Sequence, residues 1–185
     1  MRTTMKKLLL ALSVCAASAS SANDIELAIS DELIDLRFTT DFEQNFHGKL
    51  ALMHSDVEDG VADIKTNYLS YQFFTKDTVG RFELELGAKG YWLDVEDESG
   101  FGVALGGHVG TALVKKLTVG LELFYTPAVI SSGDIENTLD LDLRFAYQLL
   151  ENGQVFIGYR QFEADFEVGD EDVYDDAYFG VKFSF

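Results

Sequence analysis

Along most of the chain, apolar residues alternate with polar or small ones at every second position, in runs of about ten residues or more, while helical spacing is largely absent. In the run from Arg81 to Leu93, Phe82, Leu84, Leu86, Ala88 and Trp92 share one face and Arg81, Glu83, Glu85 and Lys89 share the other. From Phe101 to Leu113, Phe101, Val103, Leu105, Val109 and Leu113 oppose Gly102, Ala104, Gly106, His108, Gly110 and Ala112. Leu117, Val119, Leu121, Leu123 and Tyr125 then alternate with Thr118, Gly120, Glu122 and Thr126. Leu139, Leu141, Leu143, Phe145, Tyr147 and Leu149 oppose Asp140, Asp142, Arg144, Ala146 and Gln148. The last run is the most regular, with Ala177, Phe179, Val181, Phe183 and Phe185 against Asp176, Tyr178, Gly180, Lys182 and Ser184.

Strands of a water-soluble sandwich are shorter, about five or six residues. Long strands with one greasy face, one small or charged face, and a single proline in 185 residues predict an all-β fold, a transmembrane antiparallel barrel. In hydrocarbon a sheet must close on itself, because an open edge leaves N–H and C=O groups without partners. Turn signals predict ten strands, at 24–30, 33–42, 46–55, 62–75, 79–94, 100–114, 117–131, 135–149, 154–168 and 173–185; eight result if the first hairpin does not form. Tight connections near Asn45, Lys76 to Thr78, Lys115 to Lys116 and Glu151 to Gly153 suit the periplasmic side. More acidic ones near Glu58 to Gly60, Asp97 to Gly100, Ser131 to Asp134 and Gly169 to Asp172 suit the outside. Val155, Ile157 and Tyr159 are out of phase with Phe162, Ala164, Phe166 and Val168, which predicts a β-bulge near Arg160 and Gln161.

The first 22 residues do not follow this pattern. Arg2, Lys6 and Lys7, an apolar run from Leu8 to Ala17, and the small residues Ser20, Ser21 and Ala22 read as a secretory signal peptide, leaving residues 23–185 as the barrel domain. Cys15, the only cysteine, leaves with it; Val14 stands before it where lipoprotein acceptor sites prefer Gly or Ala. Without disulfides, barrel closure takes over the stapling role. Removing three positive charges and no negative ones takes the formal charge from −18 to −21. So acidic a chain repels nucleic-acid phosphates, which excludes nucleic acid as a partner.

The ending Tyr178-Phe179-Gly180-Val181-Lys182-Phe183-Ser184-Phe185 resembles the carboxy-terminal assembly signal of outer-membrane barrels, with Phe179, Val181, Phe183 and Phe185 at alternate positions. Together with the chain's size and stretches such as Leu33 to Phe42 and Phe46 to Ser55, it is similar to the YfaZ family of small outer-membrane proteins of the Gram-negative envelope. The resemblance implies a barrel in the cell outer membrane, in contact with lipid and lipopolysaccharide and handled by the barrel-assembly machinery. It implies no activity and no cofactor.

Ionisable residues of both signs fall on the inward faces: Asp35, Arg37, Arg81, Glu83, Glu85, Lys89, Glu122, Asp142, Arg144, Arg160 and Lys182. A barrel of eight to ten strands has room for little beyond its side chains, so these predict a charge layer that fills the lumen. The hairpin spacing sets Glu122 opposite Asp142 to Arg144, and Arg144 beside Arg160. A narrow channel lined by the same residues is the alternative. Gly102, Gly106 and Gly110 make room for Tyr91 and Phe124, or else for a ligand. His54, Ser55 and Asp56 near an outward end raise a lipid-modifying enzyme as a further alternative, but adjacent strand residues point to opposite faces. No catalytic residue is assigned and the chain reads as a non-enzyme. The acidic runs Asp94, Glu96, Asp97, Glu98 and Glu163, Asp165, Glu167, Asp170, Glu171, Asp172 with Asp175 read as solvated loops; divalent cations bridging to lipopolysaccharide are a further expectation.

Overall fold

The computed structural model describes residues 23–43, 45–58, 63–96, 98–166 and 169–185, with backbone alone at 58, 63 and 169–172. The signal segment with Cys15 lies outside the described residues, as do Asp97 and Glu167. The strands are β1 (Asp24–Ile29), β2 (Leu33–Glu43), β3 (Phe46–Glu58), β4 (Asp63–Val79), β5 (Phe82–Val95), β6 (Glu98–Val114), β7 (Leu117–Thr126), β8 (Ser131–Gly133), β9 (Ile135–Leu150), β10 (Gly153–Phe166) and β11 (Gly169–Ser184).

Each strand pairs antiparallel with the next around a ring, β7 pairing with β9, so that ten strands close the wall and the three-residue β8 is an appendage on β6. The first hairpin forms, Ile29 pairing with Ile34, and closure runs through β1 and β11 from Asp24 and Ser184 to Ile29 and Phe179. Phe185 N–H extends that seam by donating to the Asn23 carbonyl at 2.8 Å.

Three sequence expectations are corrected. The second tight turn is at Gly80 and Arg81, with Gly80 at φ +66°, and not at Lys76 to Thr78. Lys76, Asp77 and Thr78 continue the ladder; a polar run there marks a strand leaving an apolar zone, and only the glycine supplies the left-handed backbone of the turn. The seventh strand stops at Thr126 instead of 131, because Pro127 has no N–H for the ladder. A 3-10 turn at Ala128–Ile130 follows, and β8 then pairs with the start of β6.

The third correction concerns the bulge. β10 keeps strict alternation past Arg160 and Gln161, with Phe156, Gly158, Arg160, Phe162, Ala164 and Phe166 all inward. Phe162 pairs with Tyr174 and Glu163 with Asp172, so the extra residue is Val173 on β11, and both Val173 and Tyr174 are fully buried.

The phase change in β10 therefore has a different cause. Nearer the termini the outward face is greasy, with Leu84, Leu86, Val103, Leu105, Leu123, Phe145, Ile157 and Phe179 exposed. At the opposite, distal end the sense inverts. Outward positions become His54, Asp56, Lys65, Asn67, Asp94, Glu163, Asp165 and Asp175, while Leu33, Met53, Tyr68, Leu93, Val95, Ile135, Phe162, Ala164, Phe166, Val173 and Tyr174 are buried inside. One ladder thus carries two environments, an apolar-out belt and an apolar-in cap. The cap is packed across the barrel: Tyr68 meets Phe162 edge-on at 5.1 Å, and Ser55 Oγ donates to the Val173 carbonyl at 2.9 Å.

Candidate functional site

Below the cap the inward positions of the belt strands are polar, and their side chains meet across the lumen. Lys89, Asp140, Arg160, Asp35, Arg37, Asp142, Arg144, Glu26, Lys182 and Asp24 form one chain in which cation and carboxylate alternate. Successive contacts are 2.6, 2.8, 3.2, 2.6, 3.2, 3.3, 2.6, 3.3 and 2.8 Å. Five positive and five negative groups cancel. Several links are struts between strands far apart around the ring: Arg37 on β2 reaches Asp142 on β9, and Arg160 on β10 reaches Asp35 on β2. Lys49 on β3 reaches Glu122 on β7 at 2.7 Å.

Aromatic rings fill the gaps between struts. Lys89 Nζ sits 4.5 Å from the Phe124 ring centre and Arg144 stacks 4.2 Å from that of Phe156. Tyr178 donates its hydroxyl proton to Asp142 and accepts from Arg144 Nε at 3.2 Å. Small inward residues make this filling possible. A Cβ at Gly102 would strike the Tyr91 hydroxyl, and one at Gly106 the Leu123 carbonyl and the Phe124 ring.

Of the inward residues named from sequence, Asp35, Arg37, Lys89, Asp142, Arg144, Arg160 and Lys182 lie in the continuous chain, and Glu122 in the Lys49 strut. Two are elsewhere. Arg81 is exposed in its turn, its guanidinium 5.2 Å from the Phe82 ring, and Glu83 pairs with Lys76 at 2.6 Å at the rim. Glu85 lies between His47 and His108, 3.6 and 3.7 Å away. The pairing of Glu122 with Asp142 matches the hairpin spacing, but Arg160 stands beside Asp142, and Arg144 beside Gly158, two residues from the expected register. Asp24, Glu26, His47 and Lys49 were missed. Carrying period two back through Asp24-Ile25-Glu26-Leu27 and His47-Gly48-Lys49-Leu50 would have put all four inside.

Between this layer and the end that holds the termini lies a cavity of about 910 Å³, open at that end and lined among others by Thr39, His47, Glu85, His108, Glu122 and Phe156. The lumen is thus a blind vestibule: a polar pocket, a floor of ion pairs, and an apolar cap beyond.

The other sequence candidates are dispersed. His54 faces outward, with Nδ1 3.1 Å from Asn67 Oδ1; Ser55 faces inward; Asp56 pairs outside with Lys65 at 3.8 Å. These three therefore share no site. Among the described residues no group of three or more His, Cys, Asp or Glu side chains is arranged to hold a metal ion. Phe179, Val181, Phe183 and Phe185 form the outward face of β11, Phe185 being 81% exposed.

Solved structures with a similar arrangement of strands include the KdgM porin, at 14% identity and a TM-score of 0.48, covering 88% of this chain and 98% of that one. Another is the NanC porin, at 9% identity and 0.44, with the same coverage of 88% and 98%. No curated protein matches the chain in sequence. A family model does: the one described as YfaZ precursor matches residues 3–185, nearly the whole chain, and the protein belongs to the YfaZ family.

Proposed function

We propose that this protein is an outer-membrane barrel with an envelope role, whose lumen is sealed by its own side chains. The apolar belt supports the membrane assignment. On β5 the outward apolar positions run from Phe82 to Trp92; about eleven residues at ~3.3 Å each, tilted by ~40°, rise about 28 Å, close to the thickness of a bilayer core. We read the end that carries the short connections, Asn23 and Phe185 as periplasmic, and the acidic cap as external, facing lipopolysaccharide. Divalent cations bridging the acidic distal segments to lipopolysaccharide phosphates, and handling of the ending by the barrel-assembly machinery, belong to the same proposal.

The observation that carries the sealed-lumen reading is the unbroken alternation of charge from Lys89 to Asp24, backed by the packed cap. A permeating ion would have to displace struts and then cross the apolar plug. Planar bilayers test this. Folded protein should add no steady conductance over a range of salts and voltages, and a stable single-channel current would overturn the reading in favour of a narrow channel.

A further inference from the structure

We propose that the periplasm-facing vestibule is a binding site for a small organic cation bearing a primary ammonium group, with Glu85 as its anchor; this rests on the blind-lumen reading above. Every lysine and arginine of the lumen is matched: five in the alternating chain, and Lys49 by Glu122. Glu85 is left over. Among the described residues its ion-pair partners are only His47 Nε2 at 3.6 Å and His108 Nδ1 at 3.7 Å. Neither partner is a lysine or arginine, and Lys49, whose charge also acts on Glu85, makes its ion pair with Glu122 at 2.7 Å.

Such a group is costly at this depth. The Glu85 side chain is 12% exposed, with Phe74 stacked on His47 at 5.0 Å beside it. A desolvated carboxylate without a cation is unfavourable, and either a proton on a neighbouring imidazole or a bound cation relieves it. His108 Nδ1, 3.7 Å from the same carboxylate, is itself buried and makes no hydrogen bond. An ammonium group reaching Glu85 can donate to the carboxylate and to an imidazole nitrogen together.

Shape and surroundings fit this ligand class. Gly110 and Gly120 seat the His108 ring against the wall, since a Cβ would come within 2.9 Å of it at Gly110 and 2.4 Å at Gly120, and this holds the imidazole beside Glu85. The mouth adds Asp41, Glu43 and Glu83 against Lys76, which pairs with Glu83, and Arg81, so that acidic groups outnumber basic ones there. A cavity of about 910 Å³ is within the size range of small-molecule sites. Among the described residues no trio of side chains is arranged to hold a metal ion here, so a linear or branched amine fits better than a transition metal.

The test is calorimetric titration of the purified, folded protein in detergent micelles at low ionic strength, with 1,4-diaminobutane, 1,4-butanediol and glutarate as probes. The diamine should bind saturably and the diol and dicarboxylate should not. Glu85→Gln should weaken diamine binding by about tenfold or more, whereas Glu83→Gln at the rim should change it by less than about threefold. Absence of diamine binding, equal binding of the diol or glutarate, or an unaltered Glu85→Gln protein each overturns the site. If Glu85→Gln fails to fold, the selectivity of the unmodified protein among the three probes decides. Diamine binding by a protein that conducts in bilayers would sink the sealed lumen alone, and silence in bilayers without diamine binding would sink this site alone.

Discussion

At the scale of the residue, the lumen is held by paired charge, and pairing is what makes burial tolerable. Arg160 is 4% exposed and holds both Asp140, at 2.8 Å, and Asp35, at 3.2 Å, so it is shared between two carboxylates. Removing one partner of a buried pair leaves uncompensated charge and typically costs about 3–5 kcal/mol. Arg160→Met should therefore lower the free energy of unfolding by about that amount, measured by urea unfolding from lipid vesicles. Arg81→Met, at an exposed turn, should change it by no more than about 0.5 kcal/mol. Equal effects at the two sites would contradict the account of the struts. The neutral count of the chain also explains how so acidic a protein has an interior that does not repel itself: the excess charge is elsewhere.

At the scale of the element, β10 holds both environments in a single strand. Val155, Ile157 and Tyr159 face outward in the belt, and Gln161, Glu163 and Asp165 continue the same outward row beyond it. Because parity is unbroken, the change from apolar to polar along that row marks where hydrocarbon ends. Ile157→Arg should cost about 2–4 kcal/mol in vesicle unfolding and Glu163→Arg about 0–1, as depth-dependent insertion of arginine requires. A similar small cost at both positions would mean that the belt faces something other than lipid. β11 is the complementary case, since it closes the seam with β1 and carries the greasy row Phe179, Val181, Phe183 and Phe185. Deleting Phe185 removes the residue whose N–H reaches Asn23 and whose ring is most exposed in that row. Assembly in cells should fall, read as a reduced fraction of the heat-modifiable folded band, while refolding of the purified variant into detergent should be much less affected.

At the scale of the whole molecule, charge is segregated. Among the described residues, those at 31–32, 56–58, 63–65, 94–96, 98, 134–136, 163–166 and 169–176, at or beside the distal connections, carry 17 of the chain's 32 acidic residues, and of the basic ones Lys65 alone. Like charges held at one end oppose folding, and salt screens them over about 10 Å at 0.1 M. Unfolding should accordingly require more urea as NaCl rises from about 10 mM to about 150 mM. A fall in stability with salt would mean that attractive surface pairs outweigh the repulsion. The same segregation sets the apolar belt and its neutral struts apart from the acidic distal end, which lies over a packed apolar core.

The period of two, with the turn signals between its runs, was enough to determine antiparallel order and the greasy and polar faces of β5 to β7, β9 and β11, and to narrow the strand number to ten or eight. Each of these depends only on residues near one another along a strand, or on the even count that closure requires. Asp35, Arg37, Lys89, Asp142, Arg144, Arg160 and Lys182 were legible as inward for the same reason. What they touch was not legible. The reach of Arg37 to Asp142, or of Lys49 to Glu122, spans 105 and 73 residues of sequence and depends on stagger around the ring, which alternation leaves free. Nor could alternation distinguish a bulge near Arg160 from a strand that runs straight on out of hydrocarbon, because both exchange the greasy face for the polar one. Only the closed barrel decides between them, by fixing which face is inside at every height.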